Sequence, residues 1–462
     1  MNNILLRKKS ISDMLETSKS HALKRSLGAL DLTFLGIGAI IGTGIFVLTG
    51  VVAAETAGPA LIISFILSGI ACALAALCYA EFSSSVPIAG SVYTYTYATM
   101  GEVFAFLIGW DLMLEYLLAV SSVATGWSAY FQSFISGFGI HIPKILSSPP
   151  GSGHGGIVDL PAILIILLIT ALLSHGVQDS ARFNNLMVMI KLAVVFIFIA
   201  TGIGYVKPAN WTPFMPFGFH GVITGAATVF FAYLGFDAVA TASEEVRNPQ
   251  RNVPIGIIAS LAVCTFLYIL VSLVLTGIVP FKLLDVNNPV AFALEYIGQG
   301  KLAGIISIGA LAGITTVLLV MLYGQVRITF SMSRDGLLPK TFSHVHPKYK
   351  TPFANTWLTG IVAAVIGGFV DLTTLAHLVN IGTLAAFTLI SIAVIIMRKT
   401  HPDLKRAFKV PFVPVLPIIS AACCLYLMVS LPALTWKFFF AWIVFGAAVY
   451  LFYSRKHSQL SK

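Results

Sequence analysis

Long apolar stretches, separated by short polar ones, occupy most of the chain. About twelve of them approach the ~20 residues that a helix needs to cross the hydrocarbon core of a membrane. They lie at 30–54, 58–82, 100–130, 158–176, 183–205, 222–243, 255–279, 303–330, 354–370, 373–397, 411–431 and 434–453. No segment alternates apolar and polar residues as the strands of a membrane β-barrel do. The pattern therefore predicts an all-α integral membrane protein with about twelve transmembrane helices.

Composition supports this class and narrows the function. The chain has 462 residues, of which 57% are hydrophobic and 10% charged, and its mean hydropathy is +0.91. It contains neither a GxxxxGK[ST] phosphate loop nor an HExxH motif. The motifs that ATP-driven transport and metalloprotease chemistry require are therefore absent from the sequence. We expect a protein that is not an enzyme. A channel, a receptor or a secondary transporter remains.

The net charge of +10 follows the membrane topology. With the N-terminus inside the cell, 22 of the 28 lysines and arginines fall on the cytoplasmic side and only five outside. This is the positive-inside pattern of a multi-pass protein of the cell membrane, with both termini cytoplasmic. It also explains the basic charge without a nucleic-acid partner.

The first span contains its own helix breakers. The segment Leu35–Phe46 reads LGIGAIIGTGIF, with Gly42, Thr43 and Gly44 near the middle of the membrane. Irregular backbone at that depth survives only where it lines a cavity or meets a ligand. If the helix restarts at about Ile45, free N–H groups and a positive dipole end face the bilayer centre and suit a carboxylate.

A second interruption follows five spans later. The segment Phe230–Ala238 reads FFAYLGFDA and lies in a span of opposite orientation. Two such breaks are the expected signature of inverted repeats with a substrate site at the midplane. Carbonyls freed around Phe231, Ala232 and Leu234 can accept hydrogen bonds from an α-ammonium group, and together the two sites describe an amino acid. The alternative is that the glycines only permit close helix packing.

Longer motifs add a family resemblance. They are GAIIGTGIFV, the run EEVRNPQRNVPIGI at Glu244–Ile257, and the run SMSRDGLLPKTFSHVHPKYKTP at Ser331–Pro352. Over nearly its whole length the chain resembles the cationic amino acid transporter branch of the amino acid, polyamine and organocation transporters. Animal members of that branch have fourteen spans, whereas about twelve are predicted here. The substrate range of the branch therefore does not transfer directly.

The resemblance implies a LeuT-like fold, in which two five-helix repeats of inverted orientation carry interruptions in helices 1 and 6. The corresponding division of this chain is a cytoplasmic segment at 1–29, repeats at 30–207 and 208–399, helices 11 and 12 at 400–454, and a cytoplasmic tail at 455–462.

The resemblance also implies positions for the substrate. The backbone of Ile41, Gly42, Thr43 and Gly44 would hold the substrate carboxylate. The ammonium group would be held by carbonyls of Ile40, Phe231, Ala232 and Leu234. The Phe231 ring would in addition close the site as a gate on the outward side.

Lys191 is a charged residue about 12 Å into the fifth predicted span, at 1.5 Å per residue. One interpretation is that its long side chain reaches toward the membrane surface. In the other, the amine meets the carbonyls released in span 1, and also Thr315 or Thr316, at the place where sodium sits in sodium-coupled relatives. Because burial disfavours the charged form of lysine, such an amine could lose a proton and couple transport to a proton gradient.

Four further residues are candidates for reading the substrate side chain. Asp111 and Glu115 are four residues apart on one helix face, where they could attract a cationic side chain or hydrogen-bond neighbouring helices as a shared-proton pair. Asp237 begins the second half of span 6, where a helix N-cap is the alternative role. Met321 on span 8 could limit side-chain size or simply pack.

These observations predict a secondary carrier, with proton-coupled symport of cationic or small neutral L-amino acids by alternating access. An exchanger and a non-transporting amino acid receptor remain alternatives. No cofactor or metal is expected beyond the proton gradient, since the five cysteines lie in spans without metal-type spacing. The expected partners are the amino acid and membrane lipids. The absence of cysteine between residues 131 and 158 argues against a disulfide-linked subunit at that loop and leaves noncovalent partners open.

Overall fold

The computed structural model describes residues 7–9, 27–86, 91–152, 155–176 and 181–461. These ranges are helical, with two isolated β-bridges, Leu27 with Val246 and Ser147 with Asp159. The predicted all-α class is therefore confirmed for the described part of the chain.

The first half of the chain contains α1 (Ala29–Ile40), α2 (Leu61–Ser85), α3 (Ser91–Thr99), α4 (Glu102–Ser136), α5 (Leu160–Ser174) and α6 (Ala181–Gly202). The second half contains α7 (Gly218–Val229), α8 (Pro249–Ile278), α9 (Pro289–Tyr296), α10 (Gly300–Arg334), α11 (Phe353–Phe369), α12 (Leu372–Thr400), α13 (Val415–Val429) and α14 (Ala433–Val449). Short helical turns extend several of them.

Seven helical segments of the described chain are long and apolar enough to cross a membrane: Gly44–Ser85, Glu102–Ser136, Asn184–Tyr205, Pro249–Ile278, Gly300–Arg334, Leu372–Thr400 and Ala433–His457. Five shorter apolar helices lie at the other predicted positions: Ala29–Ile40, Leu160–Ser174, Gly218–Tyr233, Phe353–Phe369 and Val415–Val429. The multi-pass membrane class is thus supported, and the number twelve stays a prediction.

Two helices that the hydrophobic pattern did not predict connect longer ones. The nine-residue α3 buries Tyr95 against Phe82 of α2, with ring centroids 4.9 Å apart. The eight-residue α9 follows α8 on the opposite side. Both are too short to produce a membrane-length apolar run, and this explains why the sequence pattern did not reveal them.

Local sequence explains several helix starts. The Asp159 carboxylate accepts a hydrogen bond from the Ala162 N–H at 3.1 Å, with Pro161 in the first turn of α5. The Asp371 carboxylate likewise accepts from the Thr374 N–H at 2.9 Å at the start of α12. Each carboxylate satisfies one of the N–H groups that a helix start leaves unpaired.

Small residues bring the central helices together. A Cβ on Gly36 of α1 would lie 2.4 Å from the Ser260 hydroxyl of α8, and one on Gly324 of α10 would lie 2.7 Å from the Tyr116 ring of α4. Only glycine permits two helices to come this close. Close contact matters in a membrane, because lipid tails are apolar and give helices no hydrophobic driving force to associate. This packing encloses α1 between α6, α8 and α10.

Both ends of the described chain meet on one side of the molecule. Arg7 donates to the Leu460 carbonyl at 2.9 Å, and the Arg7 carbonyl accepts from the Glu102 N–H at 2.8 Å. The Ser458 hydroxyl donates to the Glu102 carboxylate at 2.6 Å. The two termini therefore lie on the same face, as an even number of spans requires, while the assignment of that face to the cytoplasm stays a prediction.

Candidate substrate site between two interrupted helices

Both predicted interruptions are present. Helix α1 ends at Ile40, Ile41 adopts an extended conformation (φ −75°, ψ 103°), and a π-helical turn begins at Gly44. After α7, a 3₁₀ turn covers Phe230–Tyr233, Leu234 is extended (ψ 145°), and Gly235 has a φ of +106°. That φ lies in the left-handed region, which explains why glycine occupies the position.

The two interruptions are in direct contact. A Cβ on Gly44 would lie 2.4 Å from the Ala232 Cα, and one on Gly235 would lie 2.9 Å from the Ala39 carbonyl oxygen. Backbone therefore meets backbone at two places, and any larger residue at either glycine would force the segments apart. The two breaks form one locus rather than two separate helix defects.

The first interruption exposes a row of hydrogen-bond donors. Within the ranges that the structure describes, the backbone N–H groups of Gly42, Thr43, Gly44 and Ile45 have no hydrogen-bond acceptor. They precede the resumed helix, whose dipole adds positive potential at the same point. Such an arrangement suits an anion, and the sequence predicts that this anion is a carboxylate.

Of the residues predicted to hold the carboxylate, Thr43 has a side chain already engaged. Its hydroxyl donates to the Val123 carbonyl of α4 at 3.4 Å, a long hydrogen bond. Its methyl group packs on Gly126, where a Cβ would approach within 2.1 Å. Thr43 thus fixes the break against α4 through its side chain, and what it offers a ligand is its backbone N–H.

Three of the four predicted ammonium-binding carbonyls, those of Ile40, Phe231 and Ala232, already have a hydrogen-bond donor beside them. The Tyr268 hydroxyl of α8 lies 3.0 Å from the Ile40 carbonyl oxygen and 2.7 Å from that of Ala232. The Phe231 carbonyl accepts from the Leu234 N–H at 3.2 Å within the 3₁₀ turn. Because a phenol has a single proton, it can satisfy only one of its two carbonyls at a time.

Sequence reasoning did not identify Tyr268, which connects the two breaks. The only signal was a tyrosine inside the apolar stretch 255–279, because a buried phenol needs a hydrogen-bond partner. Its full burial and its two carbonyl neighbours make it part of the site.

Lys191 on α6 is fully buried and points at the first interruption. Its ammonium group donates to the Gly38 carbonyl at 2.6 Å and to the Ile41 carbonyl at 3.1 Å. Its aliphatic stem packs on Gly313 of α10, where a Cβ would lie 2.8 Å from the lysine Cγ. The side chain therefore runs inward to the break and not outward to the membrane surface.

Thr315 and Thr316 do not supply the expected hydroxyl contact to Lys191. Thr315 donates to the Leu311 carbonyl at 2.7 Å and accepts from the Trp127 indole at 3.0 Å. Thr316 donates to the Gly313 carbonyl at 2.8 Å. Hydroxyls inside a helix readily bond to the preceding turn, and these two do so.

One face of α10 lines the locus at helical spacing. Gly313 meets Lys191, and a Cβ on Gly42 would lie 3.2 Å from Val317. Met321 follows one turn later and is 6% exposed. This register places the Met321 side chain on the face that α10 presents to the first break, while its role in limiting substrate size stays a prediction.

Three carboxylates lie buried beside the locus. Asp111 and Glu115 on α4 are 2% and 8% exposed, and Asp237 is 7% exposed. Asp237 and Asp111 are the charged neighbours of Glu115, and Thr383 of α12 lies beside it. Within the described ranges, one oxygen of Asp111 and one of Glu115 have no hydrogen-bond partner. Since a buried charge without a partner is costly, this cluster is available for a ligand or for shared protons.

Asp237 does not take its alternative role as a helix cap. It precedes the helical turn Ala238–Thr241, but its side chain makes no capping hydrogen bond. Its Oδ2 instead accepts from the Tyr116 hydroxyl of α4 at 3.0 Å. The long-range partner prevails because Tyr116 brings a buried donor that also needs an acceptor.

Phe231, the predicted gate, lies in the 3₁₀ turn and is 6% exposed. Its position beside the contact of Gly44 with Ala232 places the ring at the locus, and its movement as a gate stays a prediction.

The described residues offer no grouping of three or more His, Cys, Asp or Glu side chains that could hold a metal ion. The five cysteines are free thiols.

Comparison with known proteins places the chain among permeases and transporters. A family model described as amino acid permease matches residues 27–452. A methylthioribose transporter of Bacillus subtilis (strain 168) is 66% identical over 458 residues, 99% of each chain. The branched-chain amino acid permease BcaP of the same organism is 56% identical over the full length of both chains. The human cationic amino acid transporter 4 is 41% identical over 83% of this chain and 61% of its own. These relatives are named as transporters and permeases, not as enzymes.

Proposed function

The chain belongs to the amino acid permease family, and we propose that it is a proton-coupled secondary carrier that moves an L-amino acid by alternating access. The observation that carries this proposal is the contact between the two interrupted helices at Gly44 and Ala232. Near the middle of the membrane, the unpaired N–H and C=O groups of an interrupted helix need a ligand or a water-filled cavity as hydrogen-bond partner.

The substrate backbone would bind across this contact. Its carboxylate would accept hydrogen bonds from the N–H groups of Gly42, Thr43 and Gly44, with the positive end of the resumed helix behind them. Its ammonium group would donate to carbonyls of the second break, at Ala232 and Leu234, and to that of Ile40. An L-amino acid is the small molecule that carries both groups on one carbon.

Tyr268 would respond to the substrate. In the structure its hydroxyl lies within hydrogen-bond distance of the Ile40 and Ala232 carbonyls and can donate to one of them at a time. The substrate ammonium group has three N–H donors and a positive charge, whereas the phenol has one proton. Its hydrogen bonds to the same two carbonyls would therefore be stronger than that of the phenol. The phenol therefore links the two breaks in the absence of substrate. When substrate binds, the ammonium group takes over the Ile40 and Ala232 carbonyls.

The carboxylates of Glu115 and Asp111 would read the substrate side chain. Ionised, they attract an ammonium or guanidinium group, and protonated, they suit a neutral one. Met321, on the α10 face toward the break, would set the space available. Both cationic and neutral amino acids thus remain candidates within this site.

A second candidate substrate is a thio sugar of the methylthioribose class. Its support is the relative with 66% identity over nearly the whole chain. Such a ligand has hydroxyl groups but neither carboxylate nor ammonium, and Asp237 and Glu115 beside Tyr116 provide acceptors for hydroxyl protons. In that case the N–H row at Gly42 to Ile45 would bind a hydroxyl oxygen.

Lys191 would couple transport to protons. Its charged form bridges the Gly38 and Ile41 carbonyls and so tightens the first break. Cys264 on α8 is the titratable group that neighbours it. Loss of the proton on the cytoplasmic side removes the positive charge from both hydrogen bonds and so weakens them, and the break can then open toward that side.

The architecture proposed for this mechanism is the LeuT-like one. Helices from α1 to α6 would form one five-span repeat, those from α7 to α12 its inverted partner, and α13 and α14 would lie outside the core. The protein would be in the cell membrane with cytoplasmic termini. An exchanger and a non-transporting receptor are the alternatives within the same fold.

The test combines binding and transport. Detergent-purified protein is screened by thermal shift against the twenty L-amino acids and methylthioribose, because a ligand selective for the folded state raises stability as ln(1 + [L]/Kd). The binder is then assayed in proteoliposomes for counterflow and for uptake driven by a pH gradient. Binding without counterflow identifies a receptor, and counterflow without gradient-driven uptake identifies an exchanger. A response to methylthioribose alone assigns the second substrate.

A further inference from the structure

A groove of about 980 Å³ lies away from the substrate site, between the start of α8 and the loop that joins α12 to α13. The described residues that line it are Asn248, Pro249, Gln250, Arg251, Pro254, Ile255, Ile258, Ala259, Ala262, Ala407 and Phe408. From these residues we infer that the groove binds one anionic glycerophospholipid, with the phosphate at Arg251 and an acyl chain along α8.

The lining changes from polar to apolar along the helix axis. Asn248, Gln250 and Arg251 stand at one end, where α8 begins, and Ile255, Ile258 and Ala262 continue along the same side. Ile255 and Ile258 are 41% and 38% exposed. A groove that is polar at one end and apolar along the rest matches a lipid, whose headgroup and chain differ in the same order.

The length of the groove matches one leaflet. From Asn248 to Ala262 the helix rises about 21 Å at 1.5 Å per residue. Half of a bilayer that includes its headgroup regions is about 20–22 Å thick. The polar end of the groove therefore lies at headgroup depth, and its apolar end reaches the bilayer centre.

Charge selects an anionic headgroup. The guanidinium of Arg251 forms no ion pair with any described residue, and the groove lining includes no acidic side chain. In the adjoining segment 398–410, Arg398 and Arg406 are paired with the buried Glu81 of α2, which leaves Lys399, Lys405 and Lys409 against the single acid Asp403. Basic pockets at the ends of membrane helices bind anionic lipid headgroups for this reason.

The loop wall of the groove is fixed before any lipid binds. Glu81 of α2 is fully buried and accepts from Arg398 at 2.9 and 2.6 Å and from the Val410 N–H at 2.6 Å. The Phe408 N–H lies 3.4 Å from the Ser84 hydroxyl. Phe408 is thus held facing α8, so little ordering is needed when a chain enters.

The experiment uses the full chain in detergent micelles and measures lipid binding by native mass spectrometry, without substrate. Dioleoyl phosphatidylglycerol is titrated against dioleoyl phosphatidylcholine, which has the same chains and no net charge. Arg251→Gln removes the headgroup cation, and Ala262→Trp fills the apolar end from an exposed position. Lys456→Gln is the matched control, because it removes an exposed charge near the C-terminus, outside the groove.

We expect the wild-type protein to retain phosphatidylglycerol in preference to phosphatidylcholine. Arg251→Gln should weaken phosphatidylglycerol binding about fivefold, the equivalent of about 1 kcal/mol for one basic residue at a membrane surface. Ala262→Trp should weaken both lipids, and Lys456→Gln should change neither. A melting temperature within about two degrees of the wild-type value shows that each variant is folded.

Three outcomes overturn the inference. The first is equal retention of the two lipids by the wild-type protein, and the second is an equal effect of Arg251→Gln and Lys456→Gln. The third is displacement of phosphatidylglycerol by free glycerol phosphate at the same concentration, which would show an anion site without a role for the groove. None of them bears on substrate transport, because no substrate is present.

Discussion

The ammonium group of Lys191 lies 2.6 Å from the carbonyl oxygen of Gly38, two residues before α1 ends. With the Ile41 carbonyl at 3.1 Å, it spans the residues over which the helix is lost. A fully buried cation therefore satisfies carbonyls that the interruption leaves without helical partners. This relationship is the geometric basis of the proposed proton coupling.

Replacing Lys191 by alanine should uncouple transport from the proton gradient. The variant cannot change charge at the break, so uptake in proteoliposomes should no longer increase with an imposed pH gradient, while counterflow persists at a reduced rate. Initial rates of uptake with and without the gradient measure the effect. Full gradient dependence in Lys191→Ala would remove Lys191 from the coupling mechanism.

Gly44→Ala should reduce uptake at least about tenfold, the equivalent of about 1.4 kcal/mol. The added methyl would lie 2.4 Å from the Ala232 Cα, and backbone cannot yield as a flexible side chain does. Gly304→Ala on α10 is the matched control, since no atom lies within 4 Å of its added Cβ. Comparable uptake by the two variants would show that the contact of the two breaks is not required.

Tyr268→Phe should destabilise the substrate-free protein and increase the thermal shift that substrate produces. Loss of the phenol removes the one donor that the two buried carbonyls share, at a cost of about 1–3 kcal/mol, and leaves both available to the substrate ammonium. Melting curves with and without substrate measure both effects.

Tyr233→Phe provides the comparison for Tyr268→Phe. Tyr233 lies in the second break and packs on Tyr268, but its fully buried hydroxyl donates to the Phe65 carbonyl of α2 at 2.7 Å and to neither of the carbonyls that Tyr268 contacts. This variant should lower the melting temperature without enlarging the substrate shift. An unchanged or smaller shift in Tyr268→Phe would mean that the phenol and the substrate do not share acceptors.

Glu115→Gln should weaken arginine uptake more than alanine uptake. A neutral amide keeps the size of the side chain but removes its attraction for a guanidinium, which in a charge-assisted pair contributes about 1.5–3 kcal/mol. Michaelis constants for the two substrates measure the difference. An equal loss for arginine and alanine would assign Glu115 to helix packing, the alternative role.

Glu81→Gln should lower the free energy of unfolding by about 3 kcal/mol or more. The substitution leaves Arg398 and Arg406 without the buried carboxylate that both contact, at 2.6 and 3.5 Å. Glu295→Gln, an exposed glutamate on α9, should have no such effect. Thermal unfolding of the two purified variants distinguishes a structural ion cluster from a surface pair, which would cost less than about 1 kcal/mol.

The amino-acid sequence by itself determined the membrane class and the positions of the two interruptions. Helix length follows from apolar run length, and the glycines Gly42, Gly44 and Gly235 marked the two breaks, where Gly235 has the positive φ that glycine adopts readily. Lys191 stood out because an isolated charge in an apolar stretch needs a partner, and the first break was the nearest source of unpaired carbonyls.

Only the tertiary structure decided which partners these groups take. Tyr268 reaches Ala232 across 36 residues, Asp237 binds Tyr116 across 121, and Glu81 binds Arg398 across 317. Hydrogen bonds and ion pairs depend on distances of about 3 Å between atoms, and no period in the sequence encodes such distances between remote segments. The local sequence therefore determined where the two helices are interrupted. The packing of helices that are distant in the sequence determined which side chains contact the interruptions.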